Sequence, residues 1–435
     1  MAQATVISRT GATYVGIEVT QSPFPTVSST MLRVYPIGGT VDVSGLARAQ
    51  LKVEDERTRG FAHIPPVHGP RSDNSAIKLD LLFKPNATQL AGASPTIPAN
   101  PTGLHTIMQA LLGTTICVSN GGTTGSYFVG QGSAIVSNTT SSVTVTTGHG
   151  SGATGRFVKG QWIGIQDSAS TIAWRRVTNI VGDVLSVWPN IGAGLTAGWV
   201  IVNGYTFAPA QFHTASMSVQ HAKAVGSSVT AAQWTALGCT GDMAIAWERG
   251  ALPKISCALK SASHTGPSAQ SIGITPGSDD AASTAGVFNA ITLLQPIATT
   301  TMTNVKMLSA GVKLNGGMFH TQDLGSPEAV GGALRNPQRP FAVADLKLPF
   351  DPALDTTDWT SQTLFNLVQI VTIGSGLTQR IVGWELPNCV IVGKPKVSDS
   401  EGRLVTEVSL EALEDVNVTS PTSDLDFAPL RAFAL

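Results

Sequence analysis

The chain has 435 residues, of which only 13% are charged, and a formal net charge of −1. Charged residues usually make up about 25% of a globular protein, so this surface is weakly defended against self-association and suits an assembly subunit. The clustered Lys and Arg that tight nucleic-acid binding requires are missing.

Cys117, Cys239, Cys257 and Cys389 show no C-x-x-C spacing, which argues against a zinc site and for buried free thiols in a reducing compartment. No uninterrupted apolar run reaches the ~18 residues of a membrane span. The opening residues lack a basic segment followed by an apolar one, so expression in the cytosol without export is the expectation.

Residues 1–30 read as an extended Thr/Ser-rich arm with one strand near 14–19. Residues 31–60 hold two strands and end on the charged run Glu54, Asp55, Glu56 and Arg57, followed by Arg59. This run is read as a solvated or inter-subunit face rather than a site. Residues 60–75 form a Pro/Gly-rich surface loop. Residues 76–84 are the clearest strand. Ile77, Leu79, Leu81 and Phe83 share one face, and Lys78, Asp80 and Lys84 share the other. That is a half-buried antiparallel strand with one wet face. After a linker at 86–101, Leu104, Ile107, Met108, Leu111 and Leu112 recur at helical spacing and predict a helix over 102–112.

The composition turns β-like over residues 121–203, where closely spaced short strands and Gly turns predict a small barrel or sandwich. It is read as an insertion into an exposed loop. Trp162, Trp174, Trp188 and Trp199 are read as its core, with an aromatic sugar platform as the alternative. Residues 266–300 read as a linker with a short strand or helix near 287–294. Residues 419–435 form a tail with the apolar strip Phe427, Leu430, Phe433 and Leu435, which is expected to dock, with a neighbouring chain as its candidate site.

One pattern occurs twice. RSDNSAIKLDLLFKP at 71–85 matches RNPQRPFAVADLKLPFDP at 335–352: a polar stretch, an alternating strand and a Phe-x-Pro stop. Each is followed by a predicted helix, at 102–112 and 358–371. Residues 239–263 match 389–413, where Cys opens a strand, a polar turn with Gly follows and a second alternating strand returns. Internal repetition governs the whole fold. The reading is mainly β: one module at 31–120 plus 204–265, a second at 301–418, each with one packed helix, and the inserted all-β domain. Excising 122–203 is expected to leave a chain that still assembles.

Catalytic chemistry finds no foothold. His63 and His68 flank a Pro pair that prevents helical i, i+4 ligation. Asp279-Asp280 lacks the wider carboxylate spacing and the Glu of a calcium loop. No nucleophile elbow or P-loop lysine occurs. No enzyme activity, metal or cofactor is expected.

The layout resembles the major tail tube proteins of long, flexible-tailed bacteriophages. The strand pair within 31–53, the alternating strand 76–84 leading to helix 102–112, and the closing segment IVGWELPNCVIVGKPKVSDSEGRLVTEVSLEALE at 381–414 carry the resemblance. The insert, with GRFVKGQWIGIQD and RVTNIVGDVLSVWP, resembles the β domains that decorate phage tails. The resemblance implies β-sandwich or barrel modules that polymerise as stacked rings into a tail tube, a structural virion protein made in the host cytoplasm. It implies a tape-measure protein in the lumen, DNA transit without specific binding, and no membrane partner. Single-module tube proteins form hexameric rings, so a duplicated module implies a trimer with pseudo-six-fold symmetry, with a hexamer as the alternative. Lys78, Asp80 and Lys84 would line a neutral or weakly acidic lumen. Glu54, Asp55, Glu56, Arg57, Arg59, Phe433 and Leu435 would meet neighbouring subunits or rings. The other reading is a receptor- or glycan-binding tail protein.

Overall fold

The computed structural model describes residues 6–18, 31–37, 41–43, 50–51, 67–68, 76–83, 103–116, 133–151, 155, 157–168, 171–191, 200–203, 205–209, 215–225, 230–248, 251–271, 288–297, 304–315, 318–322, 330–335, 341–354, 358–373, 380–400, 402–414 and 428–434. The chain is mainly β and its strands pair antiparallel.

In the first half, one sheet runs in spatial order Leu32–Val34, Val6–Ile17, Met217–Val225, the first part of Thr230–Glu248, and Ser263–Ser271. The helix Gly103–Leu112 packs on it. Its apolar stripe Ile107, Met108, Leu111 and Leu112 is fully buried, as the helical spacing of those residues requires. Gly103 permits close approach at the helix start, since a Cβ there would lie 2.3 Å from Val34 Cγ1.

Thr230–Glu248 is too long to stay in one twisted sheet. Gly238, at φ 64°, sits where it changes sheets. From Thr240 onward it pairs with Lys254–Lys260, which pairs with Ala76–Leu82. The Glu18 carboxylate braces the bend. It accepts hydrogen bonds from Ser216 Oγ (2.5 Å), Ser218 Oγ (2.8 Å) and the Gly238 N–H (3.0 Å).

The second half repeats this order. Phe288–Pro296, Phe365–Ile373, the first part of Arg380–Ile391, and Arg431–Ala434 form the equivalent sheet. Ser309–Leu314, Ala342–Pro349, Arg403–Leu413 and Lys396–Ser400 form the equivalent of the second sheet. A Leu293–Asn304 bridge replaces the pairing of Val6–Ile17 with Leu32–Val34.

Three expectations need correction. The second module has no helix over 358–371: only Trp359–Ser361 is helical, and Phe365–Ile373 is a strand. FNLVQIVTI carries apolar residues on both faces, with Asn366, Gln369 and Thr372 buried among them, and such a run without alternation imitates a buried helix. The arm 1–30 contains Val6–Ile17, an interior strand of the first module. The linker 266–300 contains Phe288–Pro296, which belongs to the second.

Within the insert, six strands form a closed barrel in the order Thr171–Val181, Val184–Trp188, Ser142–Val145, Ser133–Asn138, Val200–Asn203, Trp162–Ser168. Ile135, Val143, Ile163, Ile165, Val177 and Leu185 fill it. Its stalk strands, Gly113–Ile116 and Tyr205–Pro209, pair with each other, and the second also pairs with Arg431–Ala434. The stalk therefore extends the second module's sheet. Trp162, Trp174 and Trp188 are not the barrel core. They pack with Ile172 against Leu293, Val368, Ile370, Ile381 and Phe433 of the second module's sheet and its last strand. Trp199 lies outside the described residues.

Candidate functional site

The two modules join edge to edge. Beyond its pairing with Lys254–Lys260, the second half of Thr230–Glu248 carries Ser309–Leu314 on its other edge, in a register from Met243 opposite Leu314 to Glu248 opposite Ser309. One sheet of seven strands results, Ala76–Leu82, Lys254–Lys260, residues 240–248, Ser309–Leu314, Ala342–Pro349, Arg403–Leu413 and Lys396–Ser400, with residues 41–43 bridged onto its first edge through Asp42 and Lys78 as an eighth position. Leu79, Cys257, Ile245, Val312, Leu346 and Val408 lie on its buried face.

The opposite face is polar and is organised in rows that cross the joint. One row reads Asp80, Ser256, Ala244, Lys313, Val343, Glu411. A second reads Glu248, Ser309, Lys347, Glu407, Lys396. A third reads Asp42, Lys78, Ala258, Asp242. Lysines and carboxylates alternate, with Ser, Ala and Val343 between them. Lys347 Nζ lies 3.2 Å from Glu407 Oε1, Ser398 Oγ donates to the same oxygen at 3.2 Å, and Ser409 Oγ donates to Asp345 at 2.5 Å. Bonding to Lys347 holds the Glu407 carboxyl below its ordinary range.

Of the residues singled out from sequence, Lys78 and Asp80 are exposed on this face. Lys84, Glu54, Asp55, Glu56, Arg57, Arg59 and Leu435 lie outside the described residues. Phe433 is misassigned. It is fully buried in its own chain, stacked on Trp162 at 4.4 Å between ring centroids, so it forms no surface for a neighbouring ring. Asp42, Lys254, Lys313, Asp345, Lys347 and Glu407 also belong to the polar face. The alternation in KISCALK and VADLKLP carried that signal, since one wet face imposes period two.

A second charged centre anchors the barrel. Glu385 is fully buried and accepts hydrogen bonds from Trp162 Nε1 (2.9 Å), Asn366 Nδ2 (3.3 Å) and Arg176 Nη1, while Arg431 Nη1 lies 3.6 Å away. Arg176 also stacks over the Trp188 ring at 5.2 Å. A buried carboxylate with this many donors is a fastening between domains.

Among the described residues, no group of three His, Cys, Asp or Glu is placed to hold a metal, and no helix is long and apolar enough to cross a membrane. Burial pushes the Cys257 thiol up to about 12 and raises those of Cys239 and Cys389 as well, which leaves them inert. No protein-family model matches this chain, and no curated protein matches it.

Proposed function

We propose that the chain is the subunit of a bacteriophage tail tube of the long, flexible type, in which three chains close into a ring, rings stack, and DNA passes through the channel. The observation behind this reading is the edge-joined sheet of seven strands and one bridged segment. Its two halves meet head to tail through different edges, and a head-to-tail contact between like modules builds a ring when the rotation closes. Three chains of eight strand positions at ~4.8 Å spacing, the eighth being the bridged residues 41–43, give a circumference of ~115 Å and a width of ~37 Å, more with tilt. Duplex DNA fits such a channel. Six chains would double the circumference, so the trimer suits the cargo better.

The polar face suits transit. Alternating Lys and Asp or Glu leave phosphates no uncompensated positive stripe, so passage releases few counterions and meets little friction. Small residues such as Ser256, Ala258, Ala246 and Gly311 keep the wall smooth. A tape-measure protein would occupy the same channel before the DNA. The role is mechanical, needs no cofactor and places the protein in the virion tail. The adhesive reading loses three of the tryptophans it stood on, because Trp162, Trp174 and Trp188 are buried.

Negative-stain electron microscopy of the purified protein tests the proposal. Tubes or stacked rings with an open centre are expected. Discrete monomers at every concentration would defeat it.

A further inference from the structure

We infer that the ring closes through one defined contact between copies of this chain: Lys396–Ser400 of one chain pairs antiparallel with residues 41–43 of the next, in the register of the internal joint. The setting rests on the tube reading, while the register comes from the repeat.

The two halves are in register at Phe83-x-Pro85 and Phe350-x-Pro352, which sets Lys78 on Asp345 and Asp80 on Lys347. Asp42 partners Lys78 as Gly311 partners Asp345, so Asp42 and Gly311 are equivalent. Ser256 partners Asp80 as Glu407 partners Lys347. Across the next pairing, Ser256 faces Ala244 and Glu407 faces Lys396. Val397 is thus the counterpart of Ile245, and Ser398 of Ala246. Inside the chain Ile245 meets Val312 and Ala246 meets Gly311. Carried to the next chain, Val397 meets Val43 and Ser398 meets Asp42.

Burial shows what is missing. Ile245 is 2% exposed and its partner Val312 3%, because each covers the other on the core face. Val397 occupies the same place, opposite the buried Thr406, yet is 41% exposed. Among the described residues, no strand lies on the outer side of Lys396–Ser400 or of residues 41–43. A single position that is buried in one module and open in the other lacks only its covering strand.

The backbone parity agrees. Asp42 exchanges both backbone hydrogen bonds with Lys78, at 3.2 and 3.1 Å, so the groups of Val41 and Val43 point to the outer edge. On the other strand, Ser400 and Arg403 are the last pair of the hairpin ladder, separated by two residues, and such a closing pair is hydrogen-bonded. Alternation then bonds Ser398 to Val405 and turns the backbone of Val397 and Asp399 outward. Val43 with Val397 and Val41 with Asp399 become the bonded pairs. Lys396 falls diagonal to Asp42 on the polar face, a favourable opposite-charge neighbour.

The test is a designed disulfide. Asp42→Cys and Ser398→Cys would face each other in a non-hydrogen-bonded pair, whose Cα separation of about 4.5 Å lies within disulfide reach. Cys117→Ser is added to the full chain, and Cys239, Cys257 and Cys389 are buried. On oxidation the double variant should run on non-reducing gels as a ladder ending at a trimer. The single variants should stay monomeric, and their mixture should stop at a dimer. Asp42→Cys with Asp399→Cys, one residue out of register on the opposite face, should not cross-link. Tubes without the 42–398 cross-link overturn the contact and leave the tube reading standing. A cross-linked trimer that never stacks supports the contact and overturns the tube. Monomers without any cross-link overturn both.

Discussion

Cys239 and Cys389 hold the same place in the two halves of the chain: each lies opposite the first residue of the preceding strand, Met217 and Phe365 respectively, where a long strand changes sheets. Both are fully buried, and the Cys389 thiol donates to the Phe365 carbonyl at 3.4 Å. A polar side chain of larger volume would not fit where two sheets diverge. Both thiols should therefore resist alkylation in the native protein at pH 8 and react at once in denaturant. Peptide mass spectrometry reads the result, and labelling of either in the native state would contradict the buried switch.

Glu18 gives the pH dependence one sign. Burial raises its folded carboxyl above the ordinary 4.5, against the lowering effect of Ser216, Gly238 and Ser218. A raised folded value means that the folded state holds the proton more tightly. Its contribution to stability is greatest below pH 4.5 and falls as the pH rises through the raised value. Relative to Glu18→Gln, the natural protein should lose melting temperature as pH increases across that window. Parallel pH profiles for the two proteins would refute the assignment.

His105 gives the opposite sign. It is buried on the helix, stacks on Phe207 at 5.8 Å, and burial lowers its value from 6.5 to about 3. Its contribution is complete above pH 6.5 and is lost as the pH falls toward 3. Full protonation would cost on the order of 5 kcal/mol. Urea titrations of the natural protein and His105→Leu between pH 7 and 4 should show the gap closing on the acid side. An unchanged gap would place the acid transition elsewhere.

Glu385→Ala should cost about 3–5 kcal/mol, because Arg176 and the buried Arg431 would lose the carboxylate beside them. Excision of residues 122–203 should be worse than the sequence suggested. It uncovers Leu293, Val368, Ile370, Ile381 and Phe433, and the shortened chain should aggregate. Light scattering of the excised protein is the measurement. A soluble chain that assembles would show that the barrel contact is expendable.

Gly103→Ala should destabilise by about 1–3 kcal/mol through overpacking, since the added methyl meets Val34 Cγ1. Pairing with Val34→Ala should recover part of the loss in chemical denaturation. No recovery would mean that the clash lies with the Arg33 carbonyl instead.

Elements with one wet face were legible in the sequence. Ala76–Leu82 alternates because Lys78 and Asp80 meet solvent, and Gly103–Leu112 shows a stripe of helical spacing. Phe365–Ile373 was misread because the barrel covers the face that would otherwise be polar. Val6–Ile17 is legible only at its end, as a strand near 14–19, because VISRTGATYVGI has no clean alternation and its place comes from Met217–Val225 alongside. The joint between Ile245 and Val312 has no local signature. Neither does the meeting of Arg176, Glu385 and Arg431, which come from three distant segments.

Arg431–Ala434 emerges from the ribosome after every other strand described, yet it sits between Tyr205–Pro209 and Arg380–Ile391 and brings Arg431 to Glu385. Synthesis delivers the barrel early, at ~5–20 residues per second, and its seat late. Until the last strand arrives, Trp162 has no Phe433 to stack on and Glu385 has one arginine instead of two. Seating of the barrel is thus a proofreading step on translation: a chain cut short before residue 431 keeps an unfinished seam and remains visible to the chaperones and proteases of the cell.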